Sequence, residues 1–369
     1  MRFFVLALAL CFLGCKSNAA GREYKKPVKP AKGMTPAPLL SRGKSVESNL
    51  RGSSAGKLTD GKYKDGSWAA KLPTAEKPAW VAIEIGPGPQ KLLLAWTASG
   101  CFNHLETKYG GPGSYRIEVS ADSKDGEGGT WKTVATVPNN EYRTRAHGFD
   151  FTGNRWVRWV VTGPSKDTYE YGIQPDELDI HDISAGADDT WFFLGDSVTA
   201  MAFSRSPKGQ PSFAELIAKK HPGYFPMQLN GGQGFEKSGD GLKRLPVLLK
   251  EYPEVKYWAI GYGTNDSAGN NPDTSDFANN LEAMVTMLKA AGRVPIFARI
   301  PFAVKDHETV PQFNAVIDAV TKRHALTPGP DLYAHFKANP AELEDQLHPN
   351  DKGVVSINRL WAAAVEPLY

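Results

Sequence analysis

Trp191-Phe192-Phe193-Leu194-Gly195-Asp196-Ser197 is the stretch on which the reading of this chain turns. An apolar run of strand length ends in Gly-Asp-Ser, and a segment of small, helix-compatible residues follows. A buried strand that stops there delivers a serine to the edge of its sheet. Two further elements follow in order: Gly263-Thr264-Asn265-Asp266, then Asp345-Gln346-Leu347-His348 near the C-terminus. Each is common alone, but all three in this order should arise by chance in on the order of one chain in a thousand. The set therefore reads as a unit. It holds a hydroxyl nucleophile, an amide able to donate to an oxyanion, and an Asp/His pair able to activate the hydroxyl.

Working outward, apolar runs of strand length alternate with helical stretches from residue 188 to the end. Runs at 191–194, 227–229, 256–261 and 294–300 are interleaved with helical patterns at 213–220, 242–250, 277–291, 311–324 and 352–365. In the third of these helices Phe277, Leu281, Met284, Val285 and Leu288 share one face. Strands alternating with helices predict a three-layer α/β fold of flavodoxin-like type, a parallel sheet covered on both faces. Sites in such sheets lie beyond the carboxyl ends of the strands. Gly195-Asp196-Ser197, the 230–234 segment and 263–266 all follow strands, so they can converge. Asp345 and His348, three residues apart, are expected on the same side of one helical turn.

The preceding segment has a different period. Val81-Ala82-Ile83-Glu84-Ile85, Tyr115-Arg116-Ile117-Glu118-Val119 and Trp156-Val157-Arg158-Trp159-Val160 alternate apolar with polar or small residues, and 91–96 is a fuller apolar run. Short strands separated by Gly, Pro and Asp turns predict an all-β sandwich over 41–185. Before it, residues 16–40 are rich in Lys, Pro, Ala and Gly without apolar periodicity, and read as a flexible linker or a disordered tail. Arg2 followed by the short apolar core 3–13 reads as a signal peptide, too short for a mature membrane span. Phe12-Leu13-Gly14-Cys15 suits lipoprotein processing and would leave Cys15 lipidated; Ser17-Asn18-Ala19 suits ordinary cleavage. The Gly-Cys pair is the more specific pattern. The expectation is export with 1–15 as the signal peptide: a membrane-anchored bacterial lipoprotein, periplasmic or on the cell surface, and otherwise a secreted protein.

The C-terminal pattern resembles the SGNH (GDSL-type) hydrolases, whose Ser, Gly, Asn and His come from four sequence blocks. The resemblance covers 188–369. It implies a serine esterase with Ser197 as nucleophile, His348 as base and Asp345 holding the imidazole. The oxyanion hole would be formed by the Ser197 N–H, Asn265 and a glycine-block N–H. Here that block is Leu229-Asn230-Gly231-Gly232-Gln233-Gly234-Phe235. A gap-free count back from Gly241-Leu242 puts Phe235 at the usual donor position, and Gly234 one residue off. Gly234 is taken as the donor. Asp196 and Asp266 read as braces of their loops. The mechanism needs no cofactor.

Residues 41–185 resemble discoidin-like, galactose-binding-type domains. The motifs are Leu40-Ser41-Arg42-Gly43-Lys44-Ser45-Val46, Leu58-Thr59-Asp60-Gly61, Trp68, Trp80-Val81-Ala82-Ile83-Glu84-Ile85-Gly86, Tyr115 to Ser120, Trp131-Lys132-Thr133-Val134, Trp156 to Val160 and 178–183. The resemblance implies a jelly-roll sandwich, a possible glycan ligand and a possible structural Ca²⁺ at Asp60 and Glu177. His104, Tyr109, Tyr169 and Tyr171 on loops suit sugar stacking, or are plain loop residues. In the hydrolase half, Asp306 and His307 lack further ligands at metal spacing.

Composition narrows the classes. At 369 residues, 41% hydrophobic and 22% charged, the chain suits two domains. The net charge of +3 is placed by Lys16, Arg22, Lys25, Lys26, Lys29 and Lys32 before the folded region, so nucleic acid is no expected partner. Of three cysteines, only Cys101 remains in the folded body, so no intrachain disulfide forms. The expected partners are an ester-bearing small molecule or an acetylated glycan, a glycan on the sandwich, and a membrane only through the lipid anchor. Two alternatives stand beside this: a lysophospholipase- or arylesterase-like enzyme with a structural sandwich, and a non-catalytic glycan-binding protein. All the named catalytic groups lie in 188–369, so that fragment alone is expected to cleave small esters.

Overall fold

The computed structural model describes residues 24–50, 54–62, 68, 70–98, 111–165, 172–204, 209–304 and 308–369. Residues 1–15, expected as a signal peptide, and Cys101, the loop residues His104, Tyr109, Tyr169 and Tyr171, and the Asp306-His307 pair lie outside them. No described helix is long and apolar enough to cross a membrane.

Two antiparallel sheets make up the N-terminal half. One has five strands in the order β1 (Val46–Ser48), β2 (Ala79–Glu84), β7 (Trp156–Pro164), β4 (Pro112–Ser120) and β5 (Lys132–Val137). The other has three, in the order β6 (Thr144–Asp150), β3 (Lys91–Thr97) and β8 (Glu177–Asp182). The period-2 pattern explains their packing. Val81 and Ile83, Tyr115 and Ile117, and Val157 and Trp159 point from the larger sheet at Leu92, Leu94, Trp96, Leu178 and Ile180 of the smaller one. Trp159 lies between Trp96 and Trp68, at 5.7 and 6.1 Å between ring centres.

The C-terminal half is a parallel sheet in the order β10 (Met227–Asn230), β9 (Thr190–Gly195), β11 (Tyr257–Gly261) and β12 (Val294–Phe297). Its strands are buried on both faces, which is why they read as unbroken apolar runs. Phe192, Leu194, Trp258 and Ile260 face α3 (Ser238–Glu251), α4 (Ser275–Ala290) and α5 (Val310–Arg323). Trp191, Phe193, Tyr257 and Ala259 face α1 (Ser197–Ala202), α2 (Phe213–Lys220), α6 (Leu332–Ala338) and α7 (Asp351–Val365). The five residues expected on one face of α4 are its buried ones. The chain runs from β9 out to β10 and returns to β11 on the other side, so the crevice for a ligand opens at the carboxyl ends of β9 and β11.

The halves share a core, contrary to the expectation that 188–369 is self-sufficient. The smaller sheet is covered on its second face as well. Leu93 and Ala95 of β3 and Ala146 of β6 join Met227, Leu229, Leu245, Leu248 and Tyr252 in one buried cluster. Polar groups seal it: Arg145 pairs with Glu251 at 2.8 Å, and the Tyr252 hydroxyl donates to Thr144 O at 2.7 Å. The fuller apolar run at 91–96 is the sequence trace of this two-sided burial. Each buried Leu or Met side chain contributes about 1.5–3 kcal/mol. Expression of 188–369 alone is therefore expected to yield aggregated or partly unfolded protein, read by size-exclusion chromatography and thermal melting. A monodisperse fragment with the parent's melting temperature would contradict this.

The linker expectation also needs correction over its described part. Residues 24–40 form no helix and bend at 31–33, but they are seated on the fold. Met34 is buried in the cluster under α1 and α7, Leu40 N–H donates to Ile180 O at 2.7 Å, and the Tyr24 hydroxyl donates to Asp182 at 2.7 Å. One buried methionine and a strand-edge pairing suffice to fix a segment whose composition alone reads as free chain.

Candidate active site

Ser197 owes its position to the strand–helix junction. β9 ends at Gly195, where a Cβ would come within 2.5 Å of Gly261 O and 2.2 Å of Thr199 Oγ1. Only glycine lets the ends of β9 and β11 approach so closely. Asp196 then caps α1, its Oδ1 accepting the Val198 N–H at 3.0 Å, and Ser197 is the first residue of the helix. Ser197 is 5% exposed. Its Oγ lies 2.8 Å from His348 Nε2, and His348 Nδ1 lies 2.7 Å from Asp345 Oδ2. The three groups, named from two separate motifs, thus form one hydrogen-bonded chain.

The helical turn expected at 345–348 is absent. Residues 344–348 form bends, Gln346 has φ +72°, and the loop is closed by the Leu343–Pro349 bridge and by Glu344 N–H donating to His348 O at 2.9 Å. Two local preferences decide this. Pro349 disfavours helical backbone at His348, and an aspartate takes nearby amides in place of a helix ladder. Asp345 Oδ1 accepts the Leu347 and His348 N–H groups at 3.1 and 2.7 Å. Partial burial raises its pKa, but the His348 N–H and imidazole outweigh that and hold the carboxyl below its ordinary value. The carboxylate therefore fixes both the backbone and the ring of His348.

The glycine block lies against this junction. A Cβ on Gly232 would meet Ala200 N at 2.3 Å, and one on Gly231 would meet Phe192 at 2.0 Å. Three consecutive N–H groups of the block are spent: Gly231 on Phe193 O at 2.8 Å, Gly232 on Asn230 Oδ1 at 3.0 Å, Gln233 on Gly195 O at 2.8 Å. Gly234 follows, half-buried at a turn, and among the described residues no acceptor takes its N–H. Phe235, the position reached by gap-free counting, has φ +63° and is 62% exposed. Asn265, half-buried after β11, donates one amide hydrogen to Glu236 O at 2.9 Å, so its second remains for an oxyanion.

Several supporting groups were not legible as such. Arg244 Nη2 donates to Gly231 O at 2.8 Å and to Glu236 at 2.7 Å, and the Tyr262 hydroxyl donates to the same Glu236 oxygen at 2.7 Å. Their signal was thin: Tyr262 merely precedes Gly263-Thr264-Asn265, and Arg244 sits in an amphipathic helix. Asp266 accepts the Ser238 N–H at 3.1 and 3.0 Å, bracing the start of α3.

Burial pushes the Asp196 carboxyl up to about 7, against the Val198 N–H that it accepts. A folded-state value above the unfolded one means that the folded chain holds an extra proton between about pH 4 and 7, so stability falls as pH rises across that window. Asp196→Asn keeps the cap acceptor and cannot ionise. Its melting temperature should fall by a few degrees less than the parent's over that window. Parallel curves for the two proteins would refute the assignment.

The described residues do not fit calcium at Asp60 and Glu177. Calcium takes six to eight oxygen ligands. Here both Glu177 oxygens face the Gly61 N–H at 3.1 and 3.0 Å, and Asp60 Oδ1 accepts the Lys62 N–H at 2.9 Å. The cation at this place is Arg42, whose guanidinium reaches Glu177 at 4.0 Å and Asp179 at 3.8 Å. No group of three or more His, Cys, Asp or Glu that could hold a metal occurs among the described residues.

A serine, an imidazole and a carboxylate in series beside unspent N–H donors is what acyl transfer needs. Residues 193–354 match the GDSL-like Lipase/Acylhydrolase family. The C-terminal half is thus a GDSL-type esterase domain. No curated protein matches the chain. Among solved structures it is similar to a lipase/acylhydrolase from Enterococcus faecalis, at 23% identity over 48% of this chain and 95% of that one, with a TM-score of 0.40. It is similar to an acetyl xylan esterase at 18% identity over 48% and 99%, TM-score 0.39. It is also similar to a chitosan-binding module of a chitosanase/glucanase from Paenibacillus sp. IK-5, at 23% identity over 39% and 98%, TM-score 0.29.

Proposed function

We propose that this GDSL-type domain removes an acyl group, acetyl foremost, from a carbohydrate by a Ser197–His348–Asp345 mechanism. The observation that carries the reading is the continuous chain from Ser197 Oγ through His348 to Asp345, at 2.8 and 2.7 Å. His348 Nε2 takes the Ser197 proton as Oγ bonds to the ester carbon. The carbonyl oxygen becomes an oxyanion, met by the N–H groups of Ser197 and Gly234 and by the Asn265 amide. The C–O bond to the alcohol breaks as His348 returns the proton to that oxygen. Water then attacks the acyl-serine through the same base, releasing the acid and restoring Ser197. Asp345 stays ionised throughout and stabilises the imidazolium.

The sandwich is read as a discoidin-like jelly roll, which its five- and three-stranded antiparallel sheets support. Sequence motifs of a family with many sugar binders support a glycan as its ligand. The Gly14-Cys15 pair after an apolar core supports export with a lipid anchor at Cys15. The test is a screen of the purified protein from Gly21 onward on short-chain aryl esters, acetylated glycans and lysophospholipids. Acetate release from a glycan, with acetyl esters cleaved faster than longer ones, is the expected result. Preference for long acyl chains would favour the lysophospholipase-like reading. Absent hydrolysis, with glycan retained, would leave a binding protein.

A further inference from the structure

The catalytic glycine block is a weak piece of chain. Gly231, Gly232 and Gly234 are three glycines in four residues, and each has more backbone freedom to lose than any other residue. Gly234 can offer its N–H to an oxyanion only if the peptide planes before it are held, because a flipped plane points that donor elsewhere. Most of the restraints come from the hydrolase half: Asn230 on Gly232 N, Gly195 O on Gln233 N, Arg244 on Gly231 O and Asn265 on Glu236 O.

One comes from the other half of the chain. Arg143, which leads into β6 of the sandwich, donates through Nη2 to Gly232 O. That carbonyl belongs to the same peptide plane as the Gln233 N–H, which is fixed on Gly195 O. This plane, one before the plane that carries the Gly234 N–H, is therefore clamped at both ends, by the serine's own strand and by a sandwich guanidinium. A charge-assisted donor is about twice as strong as a neutral one, so it is suited to holding a single carbonyl. Arg143 is itself held in place. Its own O accepts the Ala98 N–H at 2.8 Å, while Thr144 O accepts the Tyr252 hydroxyl and Arg145 pairs with Glu251 of α3. The cleft between the halves at this point is lined by Tyr142, Arg143 and Thr144 from one side and by Gly231, Gly232 and Gln233 from the other.

We propose that Arg143 is a positioning residue for the oxyanion loop, so that both halves of the chain assemble the catalytic site. The proposal rests on reading Ser197, His348 and Asp345 as an esterase triad. Arg143 touches no reacting atom. Its contribution is to keep the Gly234 N–H aimed before substrate arrives, which stabilises the transition state more than the bound ester.

The test uses the full chain and p-nitrophenyl acetate, with kcat and KM measured separately and melting followed in parallel. Arg143→Met keeps the stem and removes the donors. It should lower kcat about ten- to a hundredfold, at or below the loss for deleting an oxyanion donor outright, with KM within about threefold and the melting temperature within a few degrees. Arg143→Lys should recover part of the rate, since an ammonium can still donate to one carbonyl. A kcat for Arg143→Met within twofold of the parent's overturns the proposal, as does an Arg143→Lys protein no faster than Arg143→Met. If Arg143→Met does not fold, Arg143→Lys decides. A threefold or larger fall in kcat at unchanged KM and melting temperature supports positioning, and an unchanged kcat refutes it. Ser197→Ala is the reference: a rate equal to the parent's means that the esterase reading has failed. Ser197-dependent hydrolysis that is indifferent to Arg143 sinks the positioning role alone.

Discussion

Replacing Ser197 with alanine is expected to reduce ester hydrolysis by about 10⁴-fold or more while the protein stays folded. The size follows from the chemistry. Without Oγ there is no acyl-enzyme, and what remains is the residual rate that binding and the oxyanion hole can support; losses of this order accompany removal of a nucleophile that works as a unit with its base. The fold should survive because alanine is smaller and a better helix former, and because the cap of α1 is made by Asp196, not by Ser197. The small buried site offers no large side chain whose loss would open a cavity. The measurement is the initial rate on a p-nitrophenyl ester beside a thermal melt of the same preparation. A variant within a few-fold of the parent would place the nucleophile elsewhere and dissolve the reading of the triad.

Asn265→Ala is expected to lower kcat by about a hundred- to a thousandfold with little change in KM. One missing oxyanion donor costs roughly 3–4 kcal/mol in the transition state, and the ground-state carbonyl gains little from that donor, so KM should hold. The structure adds a second consequence. The Asn265 amide also holds Glu236 O at 2.9 Å, so its removal loosens the chain just after the glycine block, whose Gly232 Arg143 restrains. The Arg143 and Asn265 substitutions should therefore combine non-additively, since both act on the same donors. A rise in KM at constant kcat would make Asn265 a substrate-binding residue instead.

The parts of this protein that could be read directly share one property: their signals are local. Strand and helix faces follow from side-chain periods of 2 and 3.6, so the parallel strands, α4 with its five-residue stripe, and the alternating strands of the sandwich were visible. β6 was not. Thr144-Arg145-Ala146-His147-Gly148-Phe149-Asp150 mixes two cationic-type residues and a glycine into a strand. It is tolerated because Tyr115 meets His147 at 2.6 Å and Glu251 meets Arg145 at 2.8 Å, partners supplied by distant elements. Met34 likewise looks like one apolar residue in a polar tail until the cleft that receives it exists.

The candidate site divides in the same way. Ser197, Asn265 and the Asp345/His348 pair were legible because each sits in a short motif whose residue types suit one reaction, and the first two also follow strand ends. The loop geometry at 345–348 was misjudged from spacing alone, and there the proline and the aspartate's own hydrogen bonds outweighed the helical period.

By itself, then, the sequence determined the all-β and α/β architectures, their order along the chain and the chemical types gathered in the candidate site. The tertiary structure decided which N–H of the glycine block remains unspent, that a guanidinium occupies the place proposed for calcium, and that the two halves are one packed body. The reason is physical. Periodicity and motif chemistry are carried by neighbours in sequence, whereas the hydrogen bond from Arg143 to Gly232 joins residues 89 positions apart. Such a pairing exists only once β3 and β6 have been buried from both sides.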